Sequence, residues 1–115
     1  MRSKFRDLVA YQRAIEVADY LFEEVARWRW EHRRELGWQM LDAVDSIAAN
    51  IAEGSGRWHR ADQRKFLLYA RGSLLETEHW VTTCERRGLL PHGTSDRLGD
   101  IARPLMGLIR ATRPE

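Results

Sequence analysis

Apolar residues recur along the first quarter of the chain at alternating steps of three and four. The row comprises Leu8, Tyr11, Ile15, Ala18, Phe22 and Val25, and an adjacent row adds Val17, Leu21 and Trp28. This spacing places both rows on one side of an α-helix, which is predicted to cover about residues 7–32. Glu16, Asp19 and Glu23 fall on the opposite side, as expected for an amphipathic helix at a protein surface.

Three further stretches show the same spacing and predict helices over about residues 36–53, 60–87 and 95–112. Their apolar rows are Met40, Val44, Ile47 and Ile51; Phe66, Ala70, Ser73, Thr77, Val81 and Cys84; and Leu98, Ile101, Leu105, Leu108 and Thr112. Pro104 lies inside the last row, where its missing amide hydrogen predicts a kink or a break into two pieces. Thr94 or Ser95 is expected to cap that helix.

Four amphipathic helices with short links predict an all-α fold, namely an antiparallel up-down-up-down four-helix bundle in a single domain over residues 1–115. The first link is expected at His32 to Glu35. The run from Phe66 to Ala70 offers more apolar surface than one bundle seam buries. Such an excess predicts self-association into a homo-oligomer, for which closed rotational symmetry is the usual solution.

The stretch from Ser46 to Arg57 combines polar side chains with glycines that are expected to end the second helix. Gly54 and Gly56 are predicted to supply left-handed backbone geometry at this end. Asn50 and Glu53 lie on the last turns, where polar residues fix helix register and a glutamate can pair with a cation one turn later. These four residues are interpreted as a structural motif, and a catalytic pair is not expected.

Several short motifs, in this order and spacing, resemble a known family. They are Phe5-Arg6-Asp7-Leu8 with Tyr11 and Gln12; Ser46-Ile47 and Asn50-Ile51-Ala52-Glu53-Gly54 with Gly56-Arg57; and Phe66-Leu67, Ala70, Gly72-Ser73-Leu74, Glu76 and Glu78. The family comprises four-helix bundle proteins first recognised as products of open reading frames in intervening sequences of bacterial 23S ribosomal RNA genes. The resemblance implies a homopentameric, barrel-like ring. The family is also similar to the accessory variability determinant of diversity-generating retroelements, a pentamer that binds a reverse transcriptase and nucleic acid through a basic outer surface.

A basic segment with an embedded aromatic residue follows the Ser46 to Arg57 stretch and is the candidate nucleic-acid site. Its residues are Arg57, Trp58, Arg60, Arg64 and Lys65. An indole can stack on an unpaired base while guanidinium and ammonium groups hold phosphates. The alternative is that Arg57 pairs with a carboxylate such as Glu53, that Trp58 packs at a contact between subunits, and that the other cations form a solvated surface.

The composition limits which disulfides, metal sites and membrane spans the chain can form. The chain has 115 residues, a formal net charge of +2 and one cysteine, Cys84, so it can form neither an internal disulfide nor a cysteine-based zinc site. The single cysteine predicts a reducing, cytoplasmic location. No membrane span is expected, because no apolar run approaches the roughly 20 residues that a span requires. The only Glu-x-x-His spacing, Glu76 to His79, lacks the second pair that a two-metal site requires. No catalytic residue, metal or cofactor is therefore expected.

These features predict a non-enzymatic, homo-oligomeric helical scaffold, which the resemblance implies to be a pentamer. The expected partners are further copies of the chain, together with RNA or a nucleic-acid-processing protein. The alternative is a protein-protein interaction module or adaptor that never contacts nucleic acid. Because fold alone does not define activity, the two functions are separated by the site and not by the bundle.

Overall fold

Four long helices account for most of the chain. The computed structural model describes residues 4–113, so residues 1–3 and 114–115 of the predicted domain lie outside the described residues. The helices are α1 (Val9–Ala26), α2 (Trp38–Ser55), α3 (Arg60–Arg86) and α4 (Gly99–Ala111). No strand occurs within residues 4–113, which confirms the predicted all-α class.

Short helical segments precede three of these helices. A 3-10 segment, Lys4–Asp7, leads into α1, and a second one, Thr94–Leu98, leads into α4. A single α-helical turn, Trp30–His32, and a π-helical segment, Arg33–Gly37, lead into α2. Within the described part of the chain, none of the helices has the length and apolar character needed to traverse a bilayer.

The core lies where all four helices meet. α2 packs against α1 and α3, and α4 packs against the same two helices. The largest fully buried aliphatic side chains are Leu21, Met40, Val44, Ile47, Ile51, Val81, Ile101 and Leu105. Burial of a side chain of this size contributes about 1.5–3 kcal/mol. The apolar row predicted for the second helix is buried throughout, so α2 is the helix whose orientation the sequence pattern predicts best.

The buried face of α1 differs from the predicted row. It is formed by Ala10, Ala14, Val17, Ala18, Leu21 and Val25. Ile15 and Phe22, which were predicted to lie in the core, are exposed. That prediction was wrong because it weighted large side chains, whereas α1 meets its neighbours over alanines, whose small size allows close helix packing. Two large apolar side chains are consequently left at the surface of α1.

The first helix ends earlier than predicted. α1 stops at Ala26, residues 27–29 form a turn, and residues 30–37 are helical. The predicted first helix over residues 7–32 and the predicted link from His32 to Glu35 were therefore wrong. The turn contains neither Gly nor Pro, so no residue in the sequence marks it.

A close contact between α1 and the π-helical segment accompanies this turn. A Cβ added at Gly37 would lie 2.7 Å from Cγ1 of Val25, closer than packed atoms can approach. Trp28, in the turn itself, packs partly buried against the core. The missing side chain at Gly37 therefore allows the chain to reverse tightly over Val25.

Pro104 does not divide the last helix. α4 runs through it as one helix, so the predicted break was wrong. Ile101, Leu105 and Ile109, on both sides of the proline, are buried in the core. A proline inside a helix costs about 3 kcal/mol, whereas burying three such side chains contributes about 1.5–3 kcal/mol each. The packing of α4 therefore outweighs the lost backbone hydrogen bond.

The turn between α3 and α4 is closed by the side chain of Glu85. Its carboxylate accepts hydrogen bonds from the backbone amides of Gly93, at 3.0 Å, and Ser95, at 2.8 Å. Burial acts to raise the pKa of the Glu85 carboxyl, but the hydrogen bonds from Ser95 and Gly93 and the nearby His92 outweigh it and lower the pKa. The predicted cap at Thr94 or Ser95 was wrong, since no side chain of the segment itself caps it.

Candidate nucleic-acid interface

The candidate residues lie on the loop between α2 and α3 and on the first turns of α3. The loop comprises residues 56–59. Gln63 on α3 closes it, because its side-chain amide donates to the carbonyl of Arg57 at 2.9 Å. His59, the last loop residue, has an extended backbone and makes no side-chain cap. The residues predicted from the sequence therefore lie together at one end of the bundle.

Arg57 is engaged within the chain. Its guanidinium lies 2.6 Å from the carboxylate of Glu53 and 4.6 Å from the centroid of the Phe66 ring. The Glu53 pair was the alternative interpretation of this arginine, and the structure confirms it. Both side chains are about half exposed, so the pair contributes at most about 1 kcal/mol. The pair and the ring together hold the guanidinium in one place, which leaves it less available to a phosphate.

Arg64 binds the last turn of α4, and Arg60 binds the chain just beyond it. Arg60 donates to the carbonyl of Arg113 at 3.3 Å, and Arg64 donates to the carbonyl of Ile109 at 2.7 Å. The last carbonyls of a helix lack amide partners in their own helix, and a cation there also meets the negative end of the helix dipole. These two arginines thus stabilise the end of α4 from α3.

Trp58 and Lys65 are the two candidate residues for which no hydrogen bond or ion pair occurs in the described structure, whereas Arg57 and Arg60 are exposed but bonded within the chain. Trp58 is 91% exposed, the highest value among the large apolar residues at the surface. Nζ of Lys65 lies 5.9 Å from the ring centroid of Phe66 and 6.0 Å from that of Tyr69, while the side chain stays exposed. An indole open on its faces can stack on a base, and an ammonium nearby can contact a phosphate. Of the five residues predicted for the nucleic-acid site, these two are therefore the ones that the fold of the subunit does not itself engage in a hydrogen bond or an ion pair.

The polar residues of the predicted motif satisfy the backbone of α2. The side-chain amide of Asn50 donates to the carbonyl of Ser46 at 2.9 Å, and the hydroxyl of Ser46 donates to the carbonyl of Asp42 at 2.7 Å. Glu53 pairs with Arg57 one turn later, as described above. Each polar side chain thus has a partner within its own helix or at its end, which is a structural arrangement.

The two motif glycines do not have the predicted left-handed geometry. Within residues 4–113, positive φ occurs only at Gly88 and Gly93. Gly54 is required for another reason, since an added Cβ would lie 3.0 Å from the carbonyl oxygen of Gln63 and 3.1 Å from Cβ of Phe66. Gly54 therefore lets α2 and α3 approach closely, whereas Gly56, with φ of −84°, has no such constraint.

A cavity of about 190 Å³ lies behind the loop. Its lining comprises Leu8, Ile51, Gly54, Ser55, Gln63, Leu67, Leu108 and Thr112. The walls are mainly aliphatic, and the polar side chains among the lining residues include Gln63 and Thr112, whose donors already bond to backbone carbonyls. The cavity lining carries no charged side chain, so it offers no anchor for a phosphate.

The histidine, glutamate and cysteine side chains that could bind a metal or act as a nucleophile are not brought together in a reactive site among the described residues. Glu76 accepts a hydrogen bond of 3.4 Å from the indole of Trp80, whose ring centroid lies 4.8 Å from that of His79. Among the described residues, no three His, Cys, Asp or Glu side chains come close enough to hold a metal ion. Cys84 is buried, and burial raises the pKa of its thiol to about 11 although Arg87 acts in the opposite direction. A thiol with such a pKa stays protonated and unreactive at neutral pH.

An exposed row on α3, opposite the core, was only partly anticipated. We call it the α3 outer stripe, and it comprises Ala61, Lys65, Leu68, Gly72, Leu75 and His79. Leu68 and Leu75 are 42% and 52% exposed, whereas Leu67 and Ala70 of the predicted apolar run are buried. The sequence signal was present, because the six residues follow steps of four and three as the core row does.

The chain matches a known protein family. Residues 6–111 match the family described as 23S rRNA-intervening sequence protein. The match confirms the resemblance stated from the sequence motifs and extends over nearly the whole chain. No curated protein matches the chain.

Proposed function

Since the chain belongs to the 23S rRNA-intervening sequence protein family, we propose that it is a non-enzymatic helical scaffold that assembles into a ring-like homo-oligomer, a pentamer by the resemblance. Each subunit is an antiparallel up-down-up-down bundle. This direction of the helices is supported where the start of α3 meets the end of α4, through the bonds of Arg60 and Arg64. The short loop from α2 to α3 is likewise typical of antiparallel neighbours.

The α3 outer stripe is the observation that carries the scaffold function. Leu68 and Leu75 lie one above the other on the solvent side of α3, with Gly72 between them. A bundle needs only one apolar face per helix, so a second face with heptad spacing supports packing against another protein chain. The buried thiol and the paired motif residues support the absence of catalysis. The single cysteine supports a cytoplasmic location.

Light scattering on a size-exclusion column tests self-association. We expect the wild type to elute as a multimer at micromolar concentration and the Leu68→Glu, Leu75→Glu double variant to elute as a monomer, because two carboxylates would be buried at the contact. Gly107→Glu is the matched control. It adds a negative charge on an exposed part of α4 with no heavy atom within 4 Å of an added Cβ, so it should leave the mass unchanged. A monomeric wild type would refute the scaffold proposal.

RNA binding is the second candidate function, and the 91% exposed indole of Trp58 is the observation that favours it. Lys65 and Arg60, both exposed, supply cations on the same end of the bundle, although Arg60 also donates to the carbonyl of Arg113. We propose that this edge stacks one unpaired base and contacts adjoining phosphates.

Fluorescence anisotropy of a labelled single-stranded RNA, at several salt concentrations, tests this second function. Trp58→Ala and Lys65→Glu should each weaken binding, and the Lys65 variant should also reduce the salt dependence. Arg64 is unsuited to this test, since its substitution also removes the bond to Ile109. If the wild type does not bind at low salt, or if both variants bind as tightly as the wild type, RNA binding is refuted. The protein-interaction module is then the function of this edge.

A further inference from the structure

Charge is divided unevenly between the helices. From Ala14 to Ala26 in α1, and throughout α2, there is no lysine or arginine. The same segments contain the acidic residues Glu16, Asp19, Glu23, Glu24, Asp42, Asp45 and Glu53. The first half of α3 is the reverse, with Arg60, Arg64, Lys65 and Arg71 against the single acid Asp62. Glu16, Glu24 and Glu53 form ion pairs with Arg13, Arg27 and Arg57, so the uncompensated negative charge lies at Asp19, Glu23, Asp42 and Asp45. One subunit therefore carries an acidic side and a basic side.

The acidic side also carries exposed apolar residues. Ile15, Asp19 and Phe22 follow steps of four and three on α1, and Trp38, Leu41 and Asp45 follow steps of three and four on α2. We call these six residues the α1–α2 face. Phe22 is 62% exposed and Trp38 is 49% exposed. The two helices contribute to one surface, because α1 and α2 pack against each other and both rows are on the side away from the buried core residues.

The basic side is the α3 outer stripe with its flanking cations. Lys65 belongs to the stripe, and Arg71 lies beside it; both are exposed, and neither of them forms an ion pair in the described structure. Nothing lies within 4 Å of a Cβ added at Gly72, so the middle of the stripe is a shallow gap between Leu68 and Leu75. A large side chain from another molecule can enter such a gap.

We propose that the α3 outer stripe of one subunit packs into the α1–α2 face of the next subunit, so that the assembly is head-to-tail. This inference rests on the proposed self-association and specifies its two surfaces. Lys65 and Arg71 meet Asp19 and Asp45, while the leucines of the stripe cover the exposed aromatic and aliphatic side chains of the face. A contact between two different surfaces leaves one of each free on every subunit, so it propagates and closes into a ring when the rotation permits.

Pairing of α3 with α3 of a second copy is the competing arrangement. It would cover Leu68 and Leu75 but leave Phe22 and Trp38 in solvent. It would also give a two-fold dimer that cannot grow further through the same contact. The head-to-tail contact covers both exposed apolar surfaces and pairs opposite charges, which is why the charge distribution favours it.

Charge reversal on each surface separately, and then on both, tests the proposal by light scattering. In the first double variant, Lys65→Glu and Arg71→Glu make the α3 outer stripe acidic, like the unchanged α1–α2 face. In the second, Asp19→Lys and Asp45→Lys make the α1–α2 face basic, like the unchanged stripe. Each double variant should fall to the mass of one subunit, while the quadruple variant, whose two surfaces again carry opposite charges, should recover the wild-type mass. Circular dichroism verifies that every variant remains helical.

Three other outcomes would overturn the head-to-tail contact. If the Asp19, Asp45 variant keeps the wild-type mass, the α1–α2 face is not part of the contact and α3 pairs with α3. If the Lys65, Arg71 variant keeps its mass but loses RNA binding, the basic side serves RNA instead. If all variants assemble as the wild type does, self-association stands but through other surfaces. A monomeric wild type is a different result, because it refutes the proposed scaffold as well.

Discussion

The two turns that flank α3 are built in opposite ways. The turn into α4 hides its apolar residue Leu90 and is held by the Glu85 carboxylate, which takes up two backbone amides. The turn from α2 is held by the exposed pair of Glu53 and Arg57 and leaves Trp58 in solvent. A turn that serves only the fold buries its apolar side chains. A turn that keeps an indole in water contributes little apolar burial to the bundle, and at this turn the indole is the group on which the proposed RNA contact depends.

Removing the carboxylate at each turn should show this difference most strongly. We expect Glu85→Ala to lower the free energy of unfolding by about 2–4 kcal/mol, because two part-buried amides lose a charged acceptor. Glu53→Ala, at the other turn, should cost at most about 1 kcal/mol, since its ion pair is exposed. Urea unfolding of both variants measures the difference. Equal losses would mean that the two turns are held equally.

The glycines of the turn from α2 should differ from one another in the same way. Gly54→Ala is expected to destabilise the protein by about 1–3 kcal/mol, because the new methyl group meets backbone and side-chain atoms of α3. Gly56→Ala, whose added Cβ has only ordinary contacts, should be neutral or stabilise by about 0.4–1 kcal/mol. Thermal and urea unfolding measure both effects. A tolerant Gly54 would contradict the close approach of α2 and α3.

Acid should weaken the turn into α4 selectively. The pKa of Glu85 is lowered in the folded protein, so its contribution is fully present above the ordinary glutamate pKa of 4.5 and is lost as pH falls through the lower folded value. The stability difference between wild type and Glu85→Gln should therefore shrink as the pH is lowered from about 6 to about 3. Urea titrations across this range measure it. A constant difference would show that the charge of Glu85 does not stabilise the turn.

The smallest effect is expected at Trp58. Trp58→Ala should change the free energy of unfolding by less than about 0.5 kcal/mol, because the side chain buries almost no surface in the subunit. Trp28→Ala is the matched control in the turn after α1, where the indole packs against the core, and it should cost about 2 kcal/mol or more. A large loss on replacing Trp58 would assign it a structural role.

Periodicity predicted the helices well where large side chains dominate a single face. Met40, Val44, Ile47 and Ile51 form such a face on α2, and all four are buried. On α1 the same rule selected Phe22, because alanines carry much of the real core and contribute little to a pattern of large apolar residues. Where a helix packs over small residues, the pattern of large apolar residues therefore does not predict which face of the helix is buried.

Contacts between distant residues could not be predicted in this way. Arg64 reaches the carbonyl of Ile109, 45 residues away, and the amides held by Glu85 are 8 and 10 residues away across a turn. Neither contact follows from spacing along one helix, because each depends on how two helices meet. The sequence thus predicted which cations lie close together at this end of the bundle, but it could not separate the arginines that bond to the chain at the end of α4 from Lys65, which forms no ion pair in the described structure.

The π-helical segment Arg33–Gly37 has a consequence for changes in chain length. A π-turn contains one residue more than an α-turn, since its hydrogen bonds span five residues and not four. Loss of one residue within α2 would rotate everything beyond it by about 100° and turn Met40 and Ile47 out of the core. Loss of the exposed Glu35 would instead convert the π-turn into an α-turn and preserve the downstream register. The entry to α2 is therefore the place where this helix tolerates a deletion.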